Sequence, residues 1–407
     1  MRHDWVVTRF ILMALPWWVV STAAAQDAPP AAPLTLAEAV SLARDNDPAL
    51  ASARMRRAID LASVAVARER LNPELRYEHT NETPHDVVTV AQPLEMGGKR
   101  GRRVAAAEAA LRTGEAELAR AEVQAQADTR RAYFVLASAQ RRFTIAREIE
   151  GLAGRSQRVA SEREQAGDVS KLDVLQADLV LDAAENEATA LTGELAAARA
   201  ELNAHVGRPV EMATTAADDL AEIPAAAALD ARTNAALAVL DRRIAETDAR
   251  IALARAQQRP DVTVEGTVTH GADPEFDWGY HAAVAVVVPV FTRHTAAVQV
   301  EQATLAQLRA QRAALTRQVS AGAFAARARA EAARQAYLRY RDDILPDSRR
   351  VEAMAEEAYR AGQTGLPALL EALRAARELR QKELQAASDF ESALADLEQA
   401  TRLGPRP

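Results

Sequence analysis

"ARAQQRPDVTVEGT", Ala254 to Thr267, has an earlier counterpart in "ARERLNPELRYEHT", Ala67 to Thr80. Both read as an arginine-bearing helix, a proline that stops it, and then a strand. The correspondence continues downstream of both. "VAQPLEMGGKR" is answered by "VVVPVFTRHTA", which aligns Pro93 with Pro289, and "EREQAGDVSKLDVLQAD" by "AYRAGQTGLPALLEAL", which aligns Ala166-Gly167 with Ala361-Gly362. Three punctuation marks in the same order at a nearly constant offset are the signature of an internal duplication. We divide the chain accordingly into a first repeat over 35–212 and a second over 213–407.

Each copy reads as helix, strand, strand, very long helix, sharp turn and returning helix. The expected strands are Glu74 to Glu82, His85 to Gln92, Asp261 to Gly271 and Gly279 to Val288. In the third, Val262, Val264 and Val268 fall on one face, and Thr263, Glu265, Thr267 and Thr269 on the other. The fourth repeats the apolar face with Tyr280, Ala282, Val284, Val286 and Val288. Runs of about 9 to 11 residues have the length of a tilted transmembrane β-strand, and Phe276, Trp278, Tyr280 and Phe291 flank the second hairpin where an interfacial aromatic girdle would lie. Four strands are too few to close a membrane barrel, so spanning requires several chains to pool them.

From Glu95 to about Gln165 the chain has no proline and is rich in Ala, Glu, Arg, Leu and Gln. At 1.5 Å per residue that is on the order of 100 Å of helix, a projecting hairpin of coiled coil. The run from about Val298 to Arg360 has the same character. Between strand and helix stands "QPLEMGGKRGRR", Gln92 to Arg103. There Pro93 ends the strand, Gly97 and Gly98 give the backbone its freedom, and Lys99, Arg100, Arg102 and Arg103 are expected just beneath a membrane surface, facing anionic groups. A phosphate loop does not fit, because its upstream glycine is replaced by Pro93 and Lys99 is followed by Arg100.

Composition narrows the class. The chain is 49% hydrophobic but only 4% aromatic, because alanine carries much of the apolar content, and this favours long, closely packed helices over one globular core. A net charge of −7 argues against a nucleic-acid partner. Arg2, His3 and Arg9 precede an apolar run from Phe10 to Val20 and then Ala23-Ala24-Ala25, the pattern of a secretory signal peptide over 1–25, with a proline- and alanine-rich linker over 26–34. The absence of cysteine excludes disulfides, thiolate metal sites and a lipidated N-terminal cysteine. No catalytic constellation stands out: Ser170, Lys171 and Asp173 read as the opening of a helix with Ser170 its cap. No enzyme activity and no cofactor are expected. Histidines 79, 85, 270, 281 and 294 gather near the strands and His205 lies elsewhere; without a short-spaced pair and a carboxylate they are read as solvated side chains, not metal ligands.

This ordered combination, with "TLAEAVSLARDNDPAL" (Thr35 to Leu50), "QPLEMGGKRGRR" and "AGDVSKLDVLQADL" (Ala166 to Leu179), resembles the TolC-like outer-membrane efflux channels of Gram-negative bacteria, over Leu34 to Gly404. The "LEMGGKR" form is most similar to the branch serving heavy-metal pumps of the cobalt-zinc-cadmium type. The resemblance implies a mainly α fold with a small β part: a homotrimer whose twelve-stranded barrel in the outer membrane continues into a periplasmic α-helical barrel. It implies a passive exit duct, with a periplasmic adaptor and an inner-membrane efflux pump as partners besides outer-membrane lipid. The turns Ala166-Gly167-Asp168 and Ala361-Gly362-Gln363 become adaptor-docking tips. The acidic pair that lines the constriction in well-known relatives falls on Ala368 and Glu371, so only Glu371 keeps a carboxylate at the gate. Two rival readings are a periplasmic adaptor, which has one hairpin between halves of a β domain, and a structural coiled coil.

Overall fold

The computed structural model describes residues 33–217, 234–272, 274 and 276–401. The expected signal peptide and nearly all of the linker lie outside them. The chain begins with α1 (Leu36–Asn46) and α2 (Pro48–Arg68), followed by β1 (Glu74–His79) and β2 (Asp86–Leu94), then α3 (Lys99–Gln165) and α4 (Lys171–Val206). The second half repeats the programme with α5 (Ala235–Gln257), β3 (Asp261–Ala272), β4 (Phe276–Val287), α6 (Thr295–Arg339), α7 (Leu345–Arg360) and α8 (Leu366–Thr401).

The four strands form one antiparallel sheet in the order β1-β2-β3-β4, so the hairpins of the two repeats are joined through β2 and β3. β1 stops at His79, short of the expected Glu82, because the hairpin loop closes where the Thr80 amide donates to the His85 carbonyl at 2.8 Å. β4 begins at Phe276, three residues before the expected Gly279. β2 continues through Pro93 to Leu94, where the sequence reading ended it at Gln92. Pro93 is tolerated there because the last β1 partner is Glu74, opposite Ala91; beyond it β2 is paired only with β3.

α3 starts at Lys99, not Glu95, since Gly97 and Gly98 adopt left-handed φ of 69° and 75°. A Cβ on Gly97 would also come within 2.3 Å of the Arg259 side chain, so position 97 excludes other residues twice over. The corresponding left-handed position before α6 is filled by His294, at φ 52°. The basic cluster is engaged within the protein. Lys99 pairs with Asp261 at 2.7 Å; Arg100 donates to the Arg68 carbonyl; Arg103 donates to the Ala67 and Glu69 carbonyls and pairs with Glu95. Lys99 thus ties the start of α3 to the start of β3, while Arg100 and Arg103 cap the end of α2, where the carbonyls at a helix C-terminus attract positive charge.

α3 runs unbroken for 67 residues, about 100 Å. Its counterpart does not. Between α6 and α7 lies a π-turn, Tyr340–Ile344, followed at once by Pro346. Proline supplies no amide and its ring crowds the carbonyl four residues back, and the wider turn accommodates both.

The main core lies midway along the helices. Leu34, Tyr133, Phe134, Leu136, Leu202, Val206, Tyr337 and Leu384 are among its larger buried members. Leu34 is tied by a parallel bridge to Ala216, and its carbonyl accepts from the Tyr133 hydroxyl at 2.9 Å. Elsewhere small residues set the helix spacing. Gly114 of α3 faces Asp60 of α2 so closely that a Cβ would stand 2.2 Å from Asp60 Oδ2. Gly114→Ala should therefore lower stability by about 1–3 kcal/mol through overpacking, and Asp60→Ala in the same chain should restore most of it. Thermal unfolding in detergent reads this, and an undiminished loss in the double variant would place the strain elsewhere.

Candidate functional site: the hairpin tips and the sheet faces

Both long hairpins reverse through the same device. At the first tip Gly167 has φ 81°; its amide donates to the Glu164 carbonyl and that of Asp168 to the Arg163 carbonyl. At the second, Gly362 has φ 69°, with the amides of Gly362 and Gln363 donating to the carbonyls of Tyr359 and Ala358. These are left-handed helix stops that only glycine enters without penalty. Ala166, Gly167, Ala361, Gly362 and Gln363 are exposed, as is Asp168.

The tips touch each other. Arg163 lies over the Tyr359 ring, 5.5 Å from its centroid, and reaches the Tyr359 carbonyl at 3.4 Å. Beneath them Ala160, Ala177, Tyr359, Leu366, Leu369 and Leu370 form a separate apolar cluster. Burial pushes the Tyr359 phenol up, partly offset by Arg163. Its hydroxyl has no hydrogen-bond partner among the described residues.

Ser170 caps α4 reciprocally with Asp173: the Ser170 hydroxyl and amide both donate to Asp173 Oδ2, at 2.7 and 2.9 Å. Ser170 is the expected cap, and its reciprocal bonds commit Asp173 to structure. The Ser170 hydrogen bonds hold the Asp173 carboxyl below the usual carboxylate range. A depressed pKa contributes stability above the unfolded value and loses it as pH falls through the folded one. Protection factors of the amides in the first turn of α4, taken relative to intrinsic exchange at each pH, should accordingly fall on acidification, and Ser170→Ala should move that step to higher pH. A step at the same pH in both proteins would contradict the cap's role.

Glu371 is exposed in the second turn of α8, beside exposed Ala368, while Leu369 and Leu370 point into the core. Asp178 accepts from Gln157 at 2.9 Å.

At the other end of the molecule the register sorts the sheet into two faces. Val88, Val268 and Tyr280 share one face, as do Val90, Leu94, Val262, Val264, Val284 and Val286, with Leu75 and Tyr77 on β1. Thr89, Thr263, Glu265, Thr267, Thr269 and His281 line the opposite face with Glu74, Arg76 and Glu78. Thr89 and Thr267 bond to each other across it at 3.0 Å. Near the hairpin loops Asp86 accepts from Tyr77 and pairs with His79, both at 2.8 Å, and His270 approaches Asp277 at 3.2 Å. Among the described residues no group of three or more His, Asp or Glu side chains is placed to hold a metal ion. Nor is any described helix long and apolar enough to cross a membrane. Pro289 sits two residues past β4, and Phe291 beyond it is fully exposed.

Residues 39–208 match the profile of the family described as outer membrane efflux protein. The chain is 30% identical over 279 residues to the cobalt-zinc-cadmium resistance protein CzcC of Cupriavidus metallidurans. That alignment spans 65% of this chain and 65% of the relative. The fold matches the outer-membrane channel OprN with a TM-score of 0.74 at 20% identity, covering 91% of this chain and 90% of that one. It matches the Campylobacter jejuni CmeC outer membrane channel with a TM-score of 0.77 at 14% identity, covering 91% and 86%. For CusC the values are 0.74, 15%, 90% and 92%.

Proposed function

We propose that this chain is the outer-membrane channel of a tripartite efflux system, because residues 39–208 match the outer membrane efflux protein family and 91% of the chain shares the fold of solved outer-membrane channels. Three copies pool their strands in the outer membrane of a Gram-negative bacterium, and their helices continue as a periplasmic duct. The channel does no chemistry. It receives substrate from an inner-membrane pump through a periplasmic adaptor that docks at the tips, Ala166-Gly167-Asp168 and Ala361-Gly362-Gln363. Similarity to a cobalt-zinc-cadmium resistance protein supports metal cations as the cargo.

One observation carries the reading: a four-stranded sheet with an apolar face, a polar face and two unpaired edges. An open edge in a membrane is untenable, and a second copy's strand satisfies it. The rival adaptor reading calls for a single hairpin, whereas this chain has two, the second interrupted by the π-turn. Membrane fractionation separates the two readings directly. The channel partitions with outer membranes and needs detergent for release; release by salt or carbonate alone would favour the adaptor or a soluble coiled coil.

Glu371 is assigned the gate. Three copies place three exposed carboxylates around one narrow neck, where they attract cations and repel one another. Glu371→Gln should weaken block of single-channel current by multivalent cations several-fold. Unchanged block would move the selectivity element to another residue.

A further inference from the structure

Hydroxyl side chains on α3 donate to the carbonyl one turn back: Thr113 to Ala109, Thr129 to Ala125, Thr144 to Gln140 and Ser156 to Leu152, at 2.7 to 3.2 Å. Ser138 on the same helix does not. It is 4% exposed, and its Oγ has no hydrogen-bond partner among the described residues. A buried hydroxyl left unbonded is costly, so one that stands in a cavity wall points to a ligand there.

Ser138 lines a cavity of about 280 Å³ between α3, α4 and the middle of α8. Its walls are largely apolar, with Val135 and Ala139 on α3 and Ala197 and Ala198 on α4. The charged groups around it are Arg142 on α3 and Glu194 and Glu201 on α4. Arg142 is already engaged: it donates to Gln385 Oε1 at 3.3 Å and lies 3.9 Å from Glu194. Glu201 is exposed and forms no ion pair among the described residues. The cavity is therefore one carboxylate in excess. An adjoining cavity of about 490 Å³, which shares Arg142 and Glu194, differs in this respect. There Arg377 pairs with Glu187 and Lys382 with Glu378, so its charged groups satisfy one another.

We propose that the cavity at Ser138 binds a primary alkylammonium ion. An ammonium group donates three hydrogen bonds and accepts none, which suits Ser138 Oγ as an acceptor and the Glu201 carboxylate as the counter-charge. A short aliphatic chain then lies against Val135 and the alanines. An anion is disfavoured, because two carboxylates face it and the one cation is engaged. A metal ion is poorly served as well. Glu194 and Glu201 are seven residues apart on one helix, about 10 Å along its axis, and cannot converge on a single ion. Water alone would bond Ser138 but would leave the excess charge and the apolar wall without a use. The inference does not rest on the channel reading, since every wall of the cavity belongs to one copy of the chain.

The test titrates the full-length protein, in an uncharged detergent, with n-butylammonium and follows the heat of binding. Neutral n-butanol and anionic n-butyrate serve as controls of the same length. The expected result is saturable binding of one n-butylammonium per chain, with no competition from either control. Ser138→Ala and Glu201→Gln should each weaken binding about tenfold, the loss of one hydrogen bond to a charged group. Ala197→Leu, at an exposed position beside the cavity, should block it independently of those two changes. Undiminished binding in all of these variants, together with its loss in Glu371→Gln, would place the amine at the gate carboxylates and overturn the site. So would equal affinity for n-butyrate. No saturable heat from the wild-type protein would leave water as the occupant and overturn it equally.

Discussion

Val264→Arg should abolish most of the assembly of the proposed trimer, and Thr263→Arg should leave most of it in place. The two residues are adjacent on β3 and differ in the face they occupy. Val264 stands between Gln92 and Val284 on the face with the valines, and Thr263 stands between Pro93 and Ala285 on the face with the threonines and Glu265. An arginine on the lipid side of a membrane barrel costs about 2–4 kcal/mol near the midplane and far less in an aqueous lumen. Each trimer carries the substitution three times, so the penalty compounds during assembly. Semi-native electrophoresis of membranes expressing each variant reads the difference. Equal effects would mean that the valine face of the sheet does not meet lipid.

If the tips dock the adaptor as proposed, bulky residues at Gly167 and Gly362 together should abolish efflux and adaptor cross-linking without preventing insertion of the channel. A side chain at a left-handed position costs about 1–2 kcal/mol, a loss the rest of each hairpin tolerates. Space is no obstacle, because a Cβ on Gly167 meets nothing within 4 Å and one on Gly362 meets only Arg163 Nη2, at 3.7 Å. Gly167→Leu with Gly362→Leu therefore adds bulk outside the fold, where a docking partner needs close approach. Substrate accumulation in cells and adaptor cross-linking read the effect. Trimers that still cross-link and pump at wild-type rates would show that the adaptor grips another part of the channel.

The duplication was legible because punctuation residues do not depend on tertiary context. Pro93 and Pro289, and the glycines at 167 and 362, mark transitions that backbone geometry alone requires. Alternation along β3 predicted its faces, since the period of two is intrinsic to a strand. The joining of β2 to β3 was not legible, because nothing local in either hairpin names its neighbour. His294 escaped notice because a left-handed residue is ordinarily sought as glycine. The π-turn had one signal, Pro346, inside an otherwise helical run. The internal acceptors of Arg100 and Arg103, the carbonyls at the end of α2, were not legible, because they become visible only once the helices are set side by side. Thr35 and Glu38, by contrast, form a capping box that the spacing alone could have revealed.

That several copies of this chain close one pore is read by the native mass of the detergent-extracted protein together with its conductance in a planar lipid bilayer. A mass of three chains and discrete, reproducible single-channel steps are the predicted result. A monodisperse single chain that leaves the bilayer silent would contradict it.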